Sequence, residues 1–157
     1  MRGWDLTVEI INANPFGSLS QNRLEEFEKR IQSPLPQDYR DFLLQYNGGQ
    51  PTPSFFWIVP EEDGSEVERF YGIHDQTWYS LETYAGEQGY GLPPSMLPIA
   101  DDGMSNFICM DVSIQRFGEI YFIDHELHGF QSGSAEGITK LANSFSEFLT
   151  LLCNAPE

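Results

Sequence analysis

The sequence predicts a domain of the α+β class, in which helices and strands occupy separate parts of the chain. Apolar residues recur at helical spacing in the first third, short β-type runs fill the middle, and another helical stripe closes the sequence. This order argues against an alternating βαβ arrangement. The 157 residues fit one domain spanning 1–157, because no internal repeat or long linker divides them.

The first helix is predicted from residue 18 onwards. Ser18 and Gln21 have the spacing of a capping box, and three apolar residues follow at helical spacing: Leu24, Phe27 and Ile31. The preceding segment, 4–14, is ambiguous, since its apolar residues fit both a strand and one face of a helix.

A second helix is delimited at both ends. Pro36 has the fixed backbone angle suited to a first helical position, and Asn47, Gly48 and Gly49 tolerate the left-handed conformation of a helix end. One face between them is apolar: Tyr39, Phe42, Leu43 and Tyr46.

The remaining elements are mainly strands. Apolar runs bounded by turn residues predict strands at 54–59, 67–73, 97–100, 106–112 and 118–123, and a short helix is predicted within 79–88. A final helix is predicted from one apolar stripe: Ile138, Leu141, Phe145, Phe148, Leu149 and Leu152.

The charge excludes several classes of partner. The chain has 24 acidic and 8 basic residues, for a formal net charge of −16. Binding to nucleic acid or to an anionic membrane relies on clustered Lys and Arg, so neither is expected. No apolar run approaches the length of a membrane span, and the N-terminus lacks the pattern of a secretory signal. Cys109 and Cys153 are expected to be free, mostly buried thiols, so we expect a cytoplasmic protein.

One segment offers a candidate metal site. Asp124, His125 and His128 lie in the run DHELH, where the two histidines are three positions apart instead of the four of a helical zinc motif. A loop that gathered them round a metal would make the protein a metal-dependent hydrolase. The favoured interpretation is a strand end whose polar residues cap backbone groups. No other catalytic or nucleotide-binding pattern is found, so we expect no enzyme activity and no cofactor.

Two stretches are candidate binding surfaces. Five carboxylates lie within eight residues, with no basic residue between them: Glu61, Glu62, Asp63, Glu66 and Glu68. They are either a solvated loop or a surface for a basic protein. The run Phe55-Phe56-Trp57 either packs in the core or stacks on a partner.

Several motifs together resemble one family. Residues 35–49 read LPQDYRDFLLQYNGG, which resembles the LPxxYxxFL…NGG signature of the SUKH superfamily. Further matches follow in the family's order, at LPIADDG (97–103), NFICMD (106–111), GEIYF (118–122) and DHE (124–126). FSEFL at 145–149 is similar to the family's terminal helix. The superfamily includes fungal Smi/Knr regulators of cell-wall assembly and many bacterial immunity proteins.

The resemblance implies a mixed, largely antiparallel sheet flanked by helices, and a helix in the ambiguous segment 4–14. It implies no enzyme activity, and it makes Asp124 and His125 a packing and hydrogen-bonding feature. Two functions follow as hypotheses. The first is an immunity protein that binds and neutralises a cognate toxin domain, such as a basic nuclease. The alternative is a regulatory scaffold or ligand-sensing module. The acidic surface favours a monomer in the free state.

Overall fold

The computed structural model describes residues 8–85, 92–128 and 137–157. The helices in this part of the chain are α1 Gln21–Ile31, α2 Gln37–Tyr46, α3 Leu81–Tyr84, α4 His125–His128 and α5 Phe145–Leu151. Its strands are β1 Glu9–Ile11, β2 Gln50–Thr52, β3 Phe55–Val59, β4 Asp63–Glu66, β5 Arg69–Phe70, β6 Met96–Asp101, β7 Phe107–Asp111, β8 Ile120–Ile123 and β9 Ile138–Ala142.

The strands form antiparallel sheets, which confirms the α+β class. Five strands are ordered β5-β6-β7-β8-β9, while β1 pairs with β2 and β3 pairs with β4. Gly49, the residue before β2, forms an isolated bridge to β5 of the larger sheet, where the N–H of Phe70 donates to the carbonyl of Gly49 at 2.8 Å. One isolated bridge, between Gly72 and Ser80, is parallel. The sheet arrangement is therefore largely antiparallel, as the family resemblance implies.

Helix α1 begins two residues later than the predicted capping box. Ser20 has extended backbone, and its Oγ accepts a hydrogen bond from the N–H of Arg23 at 3.1 Å. Ser20 therefore satisfies a free N–H of the first turn, and the prediction that Ser18 is the cap is wrong. Leu24 and Phe27 are buried, as their spacing predicts.

Helix α2 matches its prediction to within one residue. Pro36 is the residue before the helix, and Asn47 ends it in the left-handed region with φ of 39°. The buried Asn47 amide also joins two loops: it accepts from the N–H of Ile73 at 2.8 Å and donates to the carbonyls of Gly17 and Ile73. Because a buried amide is costly unless hydrogen-bonded, this residue fixes how the helix end meets the chain around it.

Aromatic residues connect α2, β5 and α5 in the core. Phe42 lies 5.1 Å from Phe70 and 4.8 Å from Phe145, measured between ring centroids, and both pairs are edge-to-face. Tyr39 lies 4.9 Å from Phe145. Edge-to-face contacts of this kind contribute roughly 0.5–1.5 kcal/mol each beyond the area they bury.

Two of the helix predictions are wrong within the part of the chain that the structure describes. The predicted final helix is interrupted, because Ile138–Ala142 is strand β9 and pairs with β8, and α5 begins only after the Ser144 cap. The segment for which the resemblance implied a helix contains β1, which pairs with β2. Residues 4–7 of that segment lie outside the described residues, as do 86–88 of the short helix predicted within 79–88.

Candidate protein-binding surface

The β3–β4 hairpin places both candidate binding stretches on one element. In its antiparallel register, Phe55 lies opposite Glu66 and Trp57 lies opposite Gly64. Directly opposed residues share a face, so the aromatic residues and Glu66 lie on the same side of the hairpin. Phe56 faces the other way and is buried. Its ring lies 5.8 Å from that of Phe122 and 5.6 Å from that of Phe148, which fixes the hairpin to the core.

All five predicted carboxylates are exposed, and we call them the acidic hairpin surface: Glu61, Glu62, Asp63, Glu66 and Glu68. Glu61 and Glu62 belong to the turn, and Glu66 accepts a hydrogen bond from Ser54 Oγ at 3.2 Å. The Glu68 side chain lies against the turn at Gly103. A Cβ added to Gly103 would lie 3.4 Å from the Cγ of Glu68. The acidic hairpin surface therefore extends from the tip of the hairpin to the β6–β7 turn.

Most of the described basic residues pair with carboxylates elsewhere. In the described ranges, salt bridges link Arg23 to Asp75 and Glu82, Arg30 to Glu82, Arg40 to Glu28, Arg116 to Asp111 and Lys140 to Glu119. None of these pairs includes a carboxylate of the acidic hairpin surface. This surface thus makes no salt bridge with a described Lys or Arg side chain, and its negative charge attracts cations and basic proteins.

Phe55 and Trp57, which we call the aromatic pair, are half-buried on the outer face of the hairpin. Their ring centroids are 5.0 Å apart and their planes meet at 86°. The ring of Phe55 covers Gly64, since a Cβ there would collide with it. The run Phe55-Phe56-Trp57 is therefore split: its middle residue packs in the core, and the two flanking residues face outward.

A buried carboxylate anchors the hairpin to the sheet. Asp102 follows β6 and is 8% exposed, and its Oδ2 accepts a hydrogen bond from Ser65 Oγ at 2.9 Å. Its Oδ1 accepts from the backbone N–H groups of Met104 and Asn106. Asn106 Nδ2 also donates to Asp102 Oδ2 at 2.8 Å. The contact between the Asp102 carboxylate and the hairpin gave no signal in the sequence.

The same network reaches the candidate metal residues. Asn106 Oδ1 accepts hydrogen bonds from the N–H of His125 at 2.9 Å and from His125 Nδ1 at 2.7 Å. Asp124 Oδ1 accepts from the N–H groups of Glu126 and Leu127, so it caps the start of α4. The interpretation that these polar residues satisfy backbone groups is confirmed for Asp124, although the segment is a short helix instead of a strand end. Nothing is described of the His128 side chain.

Two further features of the described residues bear on catalysis. Within them, no group of three or more His, Cys, Asp or Glu side chains is placed to hold a metal ion. Cys109 is fully buried, and burial raises the pKa of its thiol, so it stays protonated and is a poor nucleophile. Both cysteines are free, as predicted. The helices in the described ranges include none with the length and hydropathy needed to cross a bilayer.

The fold and the hairpin define a small, largely antiparallel α+β protein whose candidate site is a surface and not a catalytic pocket. The model of the SMI1/KNR4 family (SUKH-1) matches residues 18–151, and the chain belongs to this family. This family is generally non-enzymatic. The chain is also similar to the SPbeta prophage-derived uncharacterized protein YokK of Bacillus subtilis (strain 168). The two are 31% identical over 167 aligned positions, which cover 93% of this chain and 81% of that protein.

Proposed function

We propose that this chain is a cytoplasmic immunity protein that binds a cognate toxin domain and blocks it by occlusion. The acidic hairpin surface is the part that contacts the toxin, and the toxin is a basic protein such as a nuclease. The observation that carries the proposal is the set of five exposed carboxylates on and beside one hairpin, with no described salt bridge.

The family and the similar protein of Bacillus subtilis support the same proposal. Many bacterial members of the SUKH superfamily are immunity proteins, and the chain belongs to the SMI1/KNR4 family within it. The similar protein of Bacillus subtilis is described as prophage-derived, and members of this family in prophage regions are often immunity proteins.

Electrostatics give the proposed surface a mechanism. A nuclease presents positive charge where it binds the nucleic-acid backbone, so an acidic surface is attracted to that site and competes with the substrate. Attraction between exposed charges is screened over about 8–10 Å at physiological salt. We therefore expect the association rate to fall steeply with ionic strength, while dissociation depends on the closer contacts.

Capture followed by reconstitution tests the proposal. Tagged protein is mixed with lysate of the source organism at low salt and at ~0.5 M salt, where exposed charges are strongly screened. Bound proteins are identified by mass spectrometry, and a captured toxin is then expressed with and without this chain. We expect growth arrest by the toxin alone and restored growth on co-expression.

Two matched double variants locate the surface. Glu61→Lys/Glu62→Lys changes the hairpin, and Glu25→Lys/Glu26→Lys changes another exposed pair of adjacent glutamates, on α1. Each substitution adds two charge units, so both variants shift the net charge of −16 by +4. We expect the hairpin variant to lose protection and the α1 variant to keep it. Equal protection by both would remove the acidic hairpin surface from the proposal. Capture of signalling or envelope proteins alone would favour the scaffold function.

A further inference from the structure

The outer face of the hairpin has the features of an anchoring site for one side chain of a partner. Phe56 on the inner face is 1% exposed, whereas Phe55 and Trp57 keep part of their surface accessible. Trp57 lies opposite Gly64, and the ring of Phe55 packs over that glycine and against Trp57. Half-buried aromatic residues held by a rigid sheet are typical of residues that contribute most to protein–protein binding.

The surroundings of the aromatic pair favour a cationic side chain. The face of an aromatic ring carries partial negative charge and attracts cations. Glu66 lies opposite Phe55 in the register, so its side chain leaves the hairpin on the same face as the rings. The protein itself uses this kind of contact elsewhere, where the guanidinium of Arg69 lies 4.4 Å from the ring centroid of Tyr79. No Lys or Arg in the described ranges is stacked on Phe55 or Trp57.

Arginine fits this site better than lysine. Its planar guanidinium stacks on an aromatic face and donates two parallel hydrogen bonds to a carboxylate, whereas a lysine ammonium acts as a point charge. We propose that the partner protein places an arginine side chain against Phe55 and Trp57, with its guanidinium paired to Glu66. This inference rests on the proposed function, because it specifies how the same hairpin recognises its basic partner.

Substitutions at two of the three tryptophans test the anchor against the captured toxin. Trp57→Leu removes the larger ring, and Trp78→Leu is the control, since Trp78 is 54% exposed and lies outside the hairpin. We expect Trp57→Leu to weaken toxin binding about tenfold or more and Trp78→Leu to change it less than about twofold, as hot-spot and neutral positions do. Glu66→Gln leaves the rings in place and is expected to weaken binding about threefold or more, as loss of a charge-assisted pair does. Urea unfolding confirms that each variant is folded.

A second arm needs no toxin. The protein is labelled with 5-fluorotryptophan, its ¹⁹F resonances are assigned from the two tryptophan variants, and a short arginine-containing peptide is added. A peptide with citrulline in place of arginine is the control for shape without charge. We expect the Trp57 resonance to shift with the arginine peptide and not with the citrulline peptide, and the Trp78 resonance to stay unmoved.

The two arms separate the anchor from the immunity function. Toxin binding that survives Trp57→Leu but is lost in Glu61→Lys/Glu62→Lys overturns the anchor and leaves the proposed function intact. If no toxin is captured, the peptide titration alone tests the anchor. A shift of the Trp57 resonance with the arginine peptide only supports the anchor. A Trp57 resonance that does not move, or that also shifts with the citrulline peptide, overturns it.

Discussion

Replacing Asp102 by alanine removes the carboxylate that connects the hairpin, the β6–β7 turn and Asn106. Four donors lose their acceptor: two backbone N–H groups, Ser65 Oγ and Asn106 Nδ2, at 2.8–3.1 Å. A hydrogen bond to a charged group contributes about 1.5–3 kcal/mol, and the four are not additive because they share one carboxylate. We expect the free energy of unfolding to fall by about 2–4 kcal/mol, because a buried donor left without an acceptor costs about 1–3 kcal/mol.

Urea unfolding measures this loss, with Asp63→Ala as the matched control. Asp63 is an exposed carboxylate on the same hairpin, and its removal is expected to change stability by less than about 0.5 kcal/mol. A double-mutant cycle between Ser65→Ala and Asp102→Ala isolates the contact that holds the hairpin, for which we expect a coupling of about 1–2 kcal/mol. A loss below about 1 kcal/mol for Asp102→Ala would refute the reasoning that this carboxylate is an anchor.

Two further predictions concern single buried groups. Tyr39 is fully buried and its hydroxyl has no described hydrogen-bond partner, so Tyr39→Phe is expected to keep or raise the free energy of unfolding, by up to about 2 kcal/mol in urea unfolding. A loss greater than about 1 kcal/mol would mean that the hydroxyl is satisfied. Cys109 is buried with a raised thiol pKa, whereas Cys153 is half-buried. A thiol reagent should therefore modify one cysteine in the native protein and both in urea, and Cys153→Ser should abolish the native reaction. Unchanged native labelling of that variant would contradict the assignment.

Elements with local start and stop signals could be predicted from the sequence. Helix α2 was placed to within one residue, because Pro36 and Asn47 act on the backbone around them and need no distant partner. The start of the last helix was not predicted correctly, although the apolar residues of the segment follow helical spacing. Ile138 lies opposite Ile123 in the β8–β9 pair, and pairing with a strand remote in sequence overrides the local pattern.

The candidate site was predicted in pieces. The exposed carboxylates and the aromatic run were each visible in the sequence, but their common face depends on register. The pairing of Phe55 with Glu66 follows from the turn and from the irregularity at Val59, which local propensities do not specify. The contact between Ser65 and Asp102 joins residues far apart along the chain and likewise depends on the tertiary structure.

The pairing of Phe55 with Cys153 has a consequence for synthesis. The backbone N–H and carbonyl of Phe55 both bond to Cys153, at 3.0 and 2.8 Å, so one edge of β3 is completed by the far end of the chain. On the ribosome, this edge cannot close until Cys153 has left the exit tunnel. Nascent chains that stop short of Cys153 therefore lack these two backbone bonds, and the edge of β3 closes only after Cys153 has been synthesised.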